Sequence, residues 1–161
     1  MTIKVGDRLP DASLRLITGE GPKIVTTQEF FGGKNIVLFG LPGAFTSICT
    51  KNHLPGFIEH RTAIEAKGVD AIAMTSVNDH HVLAAWSKVT GSEGKISFLA
   101  DGNADFAKAI GLDYDATPGG MGTRSKRYAM LVEDRVVKIL NIEDAPGKAE
   151  ISSAENLLKG M

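Results

Sequence analysis

Cys49 is the only cysteine among 161 residues, and it lies in the stretch PGAFTSICT, residues 42–50, directly after the apolar run NIVLFGL. A lone thiol cannot form an internal disulfide, so its covalent partners must come from outside, and such cysteine usage suits a reducing compartment. A thiol of ordinary pKa, about 8.5, is only a few per cent ionised at pH 7, yet the thiolate is the form that attacks electrophiles. A reactive cysteine therefore needs a helix N-terminus and a nearby cation. Thr46, three residues before the sulfur, carries a hydroxyl that both donates and accepts. Free cysteine is also among the most buried residue types, so spacing alone leaves a reactive and a packed sulfur both open.

Other residues suggest rival chemistry. His53 follows Cys49 by four positions, which puts both on one helical face and raises a Cys-His hydrolase or acyltransferase. Adjacent His80 and His81 diverge on a helix, and no Cys or carboxylate set completes a metal shell around them. DGNADF, 101–106, imitates a calcium loop, but Phe106 stands where glycine is required and Leu112 where glutamate is required, so it reads as a turn into a helix. GGMG at 119–122 and GGK at 32–34 lack the order of a phosphate-binding loop. No metal and no cofactor is expected.

The elements that must position Cys49 follow from apolar patterning. NIVLFGL, 35–41, closed by Pro42-Gly43, reads as a buried strand, as do GVDAIAMTSV, 68–77, and KISFLA, 95–100. Val82, Ala85, Trp86 and Val89 predict an apolar helical stripe between the latter two, which implies parallel strands joined by crossovers. Leu54, Phe57, Ile58 and Ile64 form a helical face after Cys49, with Pro55 either kinking that helix or opening it. KRYAMLVEDRVVKILNI, 126–142, reads as an antiparallel hairpin turning near Glu133 to Arg135, and SSAE, 152–155, as a capping box for a last helix with Leu157 and Leu158 inward. This order suggests an α/β, thioredoxin-like fold, a mixed central sheet flanked by helices, in a single domain over residues 1–161.

A net charge of -1 argues against nucleic acid or an anionic membrane as partner. The opening MTIKVGDRLPDASLRLI has no apolar signal core, and no run reaches the ~18 apolar residues of a membrane span. A soluble, cytoplasmic chain is expected.

PGAFTSICT followed by KNHLPGF resembles the active-site stretch of peroxiredoxins, Pro, three residues, Thr, two residues, Cys, with Pro42, Thr46 and Cys49 in place. HLPGF at 53–57, VND at 77–79 with AW at 85–86, RSKRYAMLVED at 124–134 and LNIE at 140–143 are similar in order to blocks of the peroxiredoxin 5, or type II, subfamily. The resemblance implies a thiol-dependent peroxidase in which Cys49 attacks a peroxide and becomes a sulfenic acid. Thr46 would serve sulfur and peroxide, Pro42 would shield the pocket, and Arg127 would stabilise the thiolate and orient the peroxide, with Arg124 as second choice. The family's histidine in HLPGF is not its general base.

Departures from the family are informative. Ser47 and Ile48 replace the Pro and Thr of many relatives at positions that the motif leaves open, and EDRV replaces the usual Asp-Gly hairpin turn, which predicts a wider or differently typed turn. The positions where some relatives carry a resolving cysteine hold Met74 or, near the C-terminus, Ile151 and Ser152. A sulfenic acid on Cys49 is therefore expected to be reduced by an external thiol, glutathione with glutaredoxin first and thioredoxin next, and to be at risk of oxidation to sulfinic acid. The resemblance further implies a homodimer, with Phe45 and residues 78–82 contributing. A redox sensor or thioredoxin-like binding module is the alternative function class.

Overall fold

Asn35–Gly40 (β3) is buried at every position after the first, because it runs through the middle of a seven-stranded sheet with apolar layers on both sides. The computed structural model describes all 161 residues. Ahead of β3 lie Ser13–Thr18 (β1), Gly21–Thr26 (β2) and the short helix Thr27–Phe31 (α1), which carries a capping box between Thr26 and Glu29. After it come Leu54–Glu59 (α2), Arg61–Glu65 (α3), Ala71–Ser76 (β4), His80–Val89 (α4) and Ser97–Ala100 (β5). The chain ends with Asp105–Ala109 (α5), Asp113–Asp115 (β6), Thr123–Ser125 (β7), Tyr128–Glu133 (β8), Val136–Ile142 (β9) and Ala154–Lys159 (α6).

The main sheet has the order β2-β1-β5-β4-β3-β8-β9, and β6 pairs with β7 in a separate ribbon. β3, β4 and β5 are mutually parallel, whereas β8 runs antiparallel to β3 and β9 antiparallel to β8. The predicted crossovers and C-terminal hairpin are present, and the fold is the expected α/β, thioredoxin-like one. One face packs Cys49, Leu54, Phe57, Ile64, Leu83, Trp86 and Leu157 against the sheet, and the other packs Phe31, Phe106, Ile110 and Tyr128. The polar stretch 101–106 is a turn into α5, where the Asp101 carboxylate accepts the N–H groups of Phe106 and Ala107.

Three expectations need correction. On α4 the buried residues are Leu83, Trp86 and Ser87, while Ala85 is exposed and Val89 is 71% exposed, so the inward stripe is rotated from the one predicted. Leu83 outweighs Val82 in apolar area, and Trp86 belongs to either stripe. The cap of α6 is Ser153, whose hydroxyl accepts from Asn156 N–H, while Ser152 is fully buried and serves another purpose. The β8–β9 turn is not wider: Glu133 pairs with Val136, leaving two residues, Asp134 and Arg135, both with positive φ of 46° and 71°. That is the tight primed turn usually built with glycine. Asp134 secures it by accepting the Gly33 N–H at 2.6 Å, and Arg135 by pairing with Asp11 at 2.7 Å.

Candidate active site

The end of β3 delivers the chain to Pro42 and Gly43, both buried, and then to an exposed bend at Phe45 whose φ is +66°. The helix begins at Ser47, and its next turn, Cys49–His53, is wound as a π-turn in which the Leu54 N–H donates to the Cys49 carbonyl. Pro55 stands in the first turn of α2, where its missing N–H matters least. Cys49 is thus near the start of a helix, as expected, with its side chain fully buried.

Arg127 immediately precedes β8, and it is 3% exposed. Because β8 pairs with β3 through Gly40↔Tyr128, this arginine lies beside the exit of β3. Its Nη2 donates to Cys49 Sγ at 3.1 Å and to the Pro146 carbonyl at 3.0 Å; Nε donates to the same carbonyl at 3.2 Å. The guanidinium thus sets a positive charge and an N–H donor directly against the sulfur.

Thr46 is half-buried and donates its hydroxyl to the Gly43 carbonyl at 2.7 Å, so its oxygen lone pairs remain to accept. Arg124, the second choice, makes no contact with sulfur. Its Nε and Nη1 donate to the carbonyls of Met121 and Val77, and a Cβ on Gly43 would lie 3.1 Å from its Nη1, so it braces the loop of Pro42 and Gly43. Asn78 holds the same loop by accepting the Ala44 N–H at 2.9 Å. Thr50 accepts from the indole N–H of Trp86 at 3.3 Å.

His53 does not hydrogen-bond to Cys49. Its Nε2 lies 2.9 Å from the Ser152 carbonyl, which can only accept, so Nε2 carries the proton and Nδ1 is left to accept from Arg127 Nη1 at 3.1 Å. Burial and then the Arg127 charge pull its pKa from 6.5 down to about 3. The Cys-His hydrolase geometry is therefore not formed. Glu143, itself buried, accepts from the Ser152 N–H and hydroxyl; burial pushes its carboxyl up, but these bonds hold it below the ordinary range. Neither Ser152 nor Glu143 was singled out in the sequence for this site; only the placement of Glu143 in the LNIE block hinted at it. A cavity of about 140 Å³, lined by Tyr114, Lys126, Arg127, Glu143 and residues 144–146, abuts the guanidinium but not Cys49, Thr46 or Pro42.

A helix-borne thiol after β3 is thus gripped by an arginine that immediately precedes β8, and residues 4–158 of the chain match the Redoxin family. The chain is 47% identical to the chloroplastic peroxiredoxin-2E-2 of Oryza sativa subsp. japonica over 99% of its own length and 73% of the relative's. It is 43% identical to peroxiredoxin-2C of the same plant, covering 99% of itself and 98% of that protein. Among solved structures, reduced Prx3 from Vibrio vulnificus in complex with hydrogen peroxide matches with a TM-score of 0.93 and 46% identity over 99% of both chains. The chain belongs to the peroxiredoxins, in their type II, peroxiredoxin 5-like branch, with a single cysteine. Peroxiredoxins are thiol-dependent peroxidases, acting on a peroxide at the expense of a thiol.

Proposed function

We propose that the chain reduces hydrogen peroxide and organic hydroperoxides through Cys49. The observation that carries this reading is the 3.1 Å contact from Arg127 Nη2 to Cys49 Sγ within a buried site. The thiolate attacks one peroxide oxygen, the O–O bond breaks, and the departing oxygen takes a proton to leave as water or an alcohol; sulfur becomes a sulfenic acid. Thr46 accepts the hydroperoxide O–H, because its own proton is committed to Gly43. Arg127 stabilises charge as it moves from sulfur to the leaving oxygen. Pro42, buried beside Gly43, keeps water from the sulfur. The hydrogen peroxide bound by the Vibrio vulnificus Prx3 supports the substrate class.

An external thiol then condenses with the sulfenic acid, releasing water, and a second thiol releases Cys49 and leaves as a disulfide. The lack of any second cysteine supports an external reductant, for which glutathione with glutaredoxin is the first candidate and thioredoxin the next. The working form is a homodimer. Phe45, 52% exposed on a left-handed bend, and residues 78–82 supply its contacts.

The reading is tested by mixing the reduced protein with stoichiometric hydrogen peroxide in a stopped flow, with Cys49→Ser as control. A rate several orders of magnitude above that of a free thiol is expected. A rate no better than a free thiol, with a partner protein trapped on Cys49, supports a redox sensor instead.

A further inference from the structure

Lys126 and Asp144 carry opposite charges into the cavity of about 140 Å³ beside Arg127, yet they form no ion pair with each other or with any other residue. The β8–β9 ladder runs one rung past its strands, with the Glu143 N–H donating to the Arg127 carbonyl, and this carries the next residue on each side, Lys126 and Asp144, to the same rim. The charges deeper in are committed. The Glu143 carboxylate accepts from Ile151 and Ser152, and the Arg127 guanidinium donates to Cys49, His53 and Pro146. Tyr114 forms another wall; it is half-buried, and its hydroxyl has no partner within the chain. The β6–β7 ribbon sets Tyr114 opposite Arg124, which braces the loop of Pro42 and Gly43. Burial and then the charge of Cys49 raise the pKa of this phenol, against the pull of Arg124 and Arg127, so Tyr114 stands both in the cavity and within the field of the sulfur.

We propose that this cavity seats the reducing thiol: it takes the zwitterionic α-amino-acid end of a small peptide thiol of the glutathione class, the carboxylate on Lys126 and the Tyr114 hydroxyl, the ammonium on Asp144. The proposal rests on the peroxidase reading of Cys49. Charge selects the ligand. A plain anion is opposed by Asp144 and a plain cation by Lys126 and Arg127, whereas a zwitterion satisfies both sides. Size selects how much of it enters, since about 140 Å³ is well below the ~300 Å³ at which a site encloses a whole drug-sized ligand. One end is held and the rest lies outside, along Tyr114 toward Cys49. Only the guanidinium separates the held end from the sulfur, because Arg127 lines the cavity and also contacts Sγ at 3.1 Å. The thiol sulfur then bonds to Cys49 Sγ as the sulfenic S–O bond breaks, and the oxygen leaves with the thiol proton as water.

The test oxidises the full chain with one equivalent of hydrogen peroxide and follows loss of the sulfenic acid, quenched with dimedone, on adding glutathione or 2-mercaptoethanol at equal thiolate concentration. The quantity read is the ratio of the two second-order rates. Lys126→Gln and Asp144→Asn, both at exposed positions, are each expected to lower that ratio by about threefold or more, as befits a partly screened charge pair. Together they are expected to lower it by about tenfold, since they hold different ends of the headgroup. Glutathione made without its α-amino group is expected to respond to Lys126→Gln but not to Asp144→Asn. A ratio unchanged in the double variant, or a wild type that does not prefer glutathione, overturns the proposal. An equal response of both peptide thiols to Asp144→Asn overturns the zwitterion assignment. A Cys49 that reacts with peroxide no faster than a free thiol overturns the peroxidase reading instead, so the two failures are distinct.

Discussion

Cys49 and Arg127, 78 residues apart in sequence, are brought to 3.1 Å by one rung of the sheet, the pairing of Gly40 with Tyr128. Nine residues lead from Gly40 to the sulfur and one from Tyr128 to the guanidinium, so the contact is set by backbone register and needs no long flexible connection.

Arg127→Gln is expected to slow Cys49 oxidation by about 10²-fold or more, the usual loss when a donor to developing charge is removed from a dry site. Arg127→Lys keeps the charge without the fork and should fall between the two. Stopped-flow kinetics against Cys49→Ser separates these outcomes; a Gln variant as fast as the wild type removes Arg127 from the mechanism.

The rung itself has no slack. A Cβ on Gly40 would overlap the Tyr128 ring, which is fully buried against it. Gly40→Ala is therefore expected to destabilise the chain by about 1–3 kcal/mol, as overpacking does, read from urea unfolding midpoints. An unchanged midpoint contradicts the packing described.

How much of this was legible beforehand follows from the range of each signal. Pro42, Thr46 and Cys49 lie within eight residues, so local spacing carried them. Arg127 is a strand-start arginine like any other, and only the block it shares with the family marked it. His53 suggested a base to sulfur because sequence spacing shows a shared face but not a ring orientation, which Ser152 and Arg127 decide. The hairpin β1–β2 and the ribbon β6–β7 were not read at all: β1 and β2 bury one residue each and β6 and β7 have three residues each, too short for a period to emerge. The α4 stripe was misplaced because two overlapping faces share Trp86, and only the sheet chooses between them.

His53 also predicts a pH dependence of stability. Its folded pKa, about 3, is below the 6.5 of the unfolded chain, so between these values the unfolded state binds one more proton. Stability is then full above about pH 6.5 and lost as pH falls, at up to about 1.4 kcal/mol per pH unit. Glu143, also depressed, adds a loss on the same acid side, below its unfolded value of 4.5. Urea denaturation across pH 4 to 8 should show a slope between pH 4 and 6.5 that His53→Asn diminishes; an equal slope in both proteins refutes it.

Trp86, the only tryptophan, donates to Thr50, the neighbour of Cys49, so its emission should report the state of the sulfur. A fluorescence change is expected on adding one equivalent of peroxide, absent in Cys49→Ser and smaller in Thr50→Val. The kinetic trace should match that of thiol loss.

Phe45→Asp is expected to shift the assembly toward monomer in sedimentation velocity, because a charge in an apolar face opposes closure. An unaltered sedimentation coefficient removes Phe45 from the proposed dimer contact.

The rung between Gly40 and Tyr128 also orders events in the life of the chain. On the ribosome Cys49 emerges 78 residues ahead of Arg127, at a stage when β3 has no β8 to pair with. A nascent chain thus carries Cys49 through synthesis without its guanidinium partner and acquires the contact only when the C-terminal half closes onto the first. Translation products that stop short of β8 keep the cysteine but not the arginine.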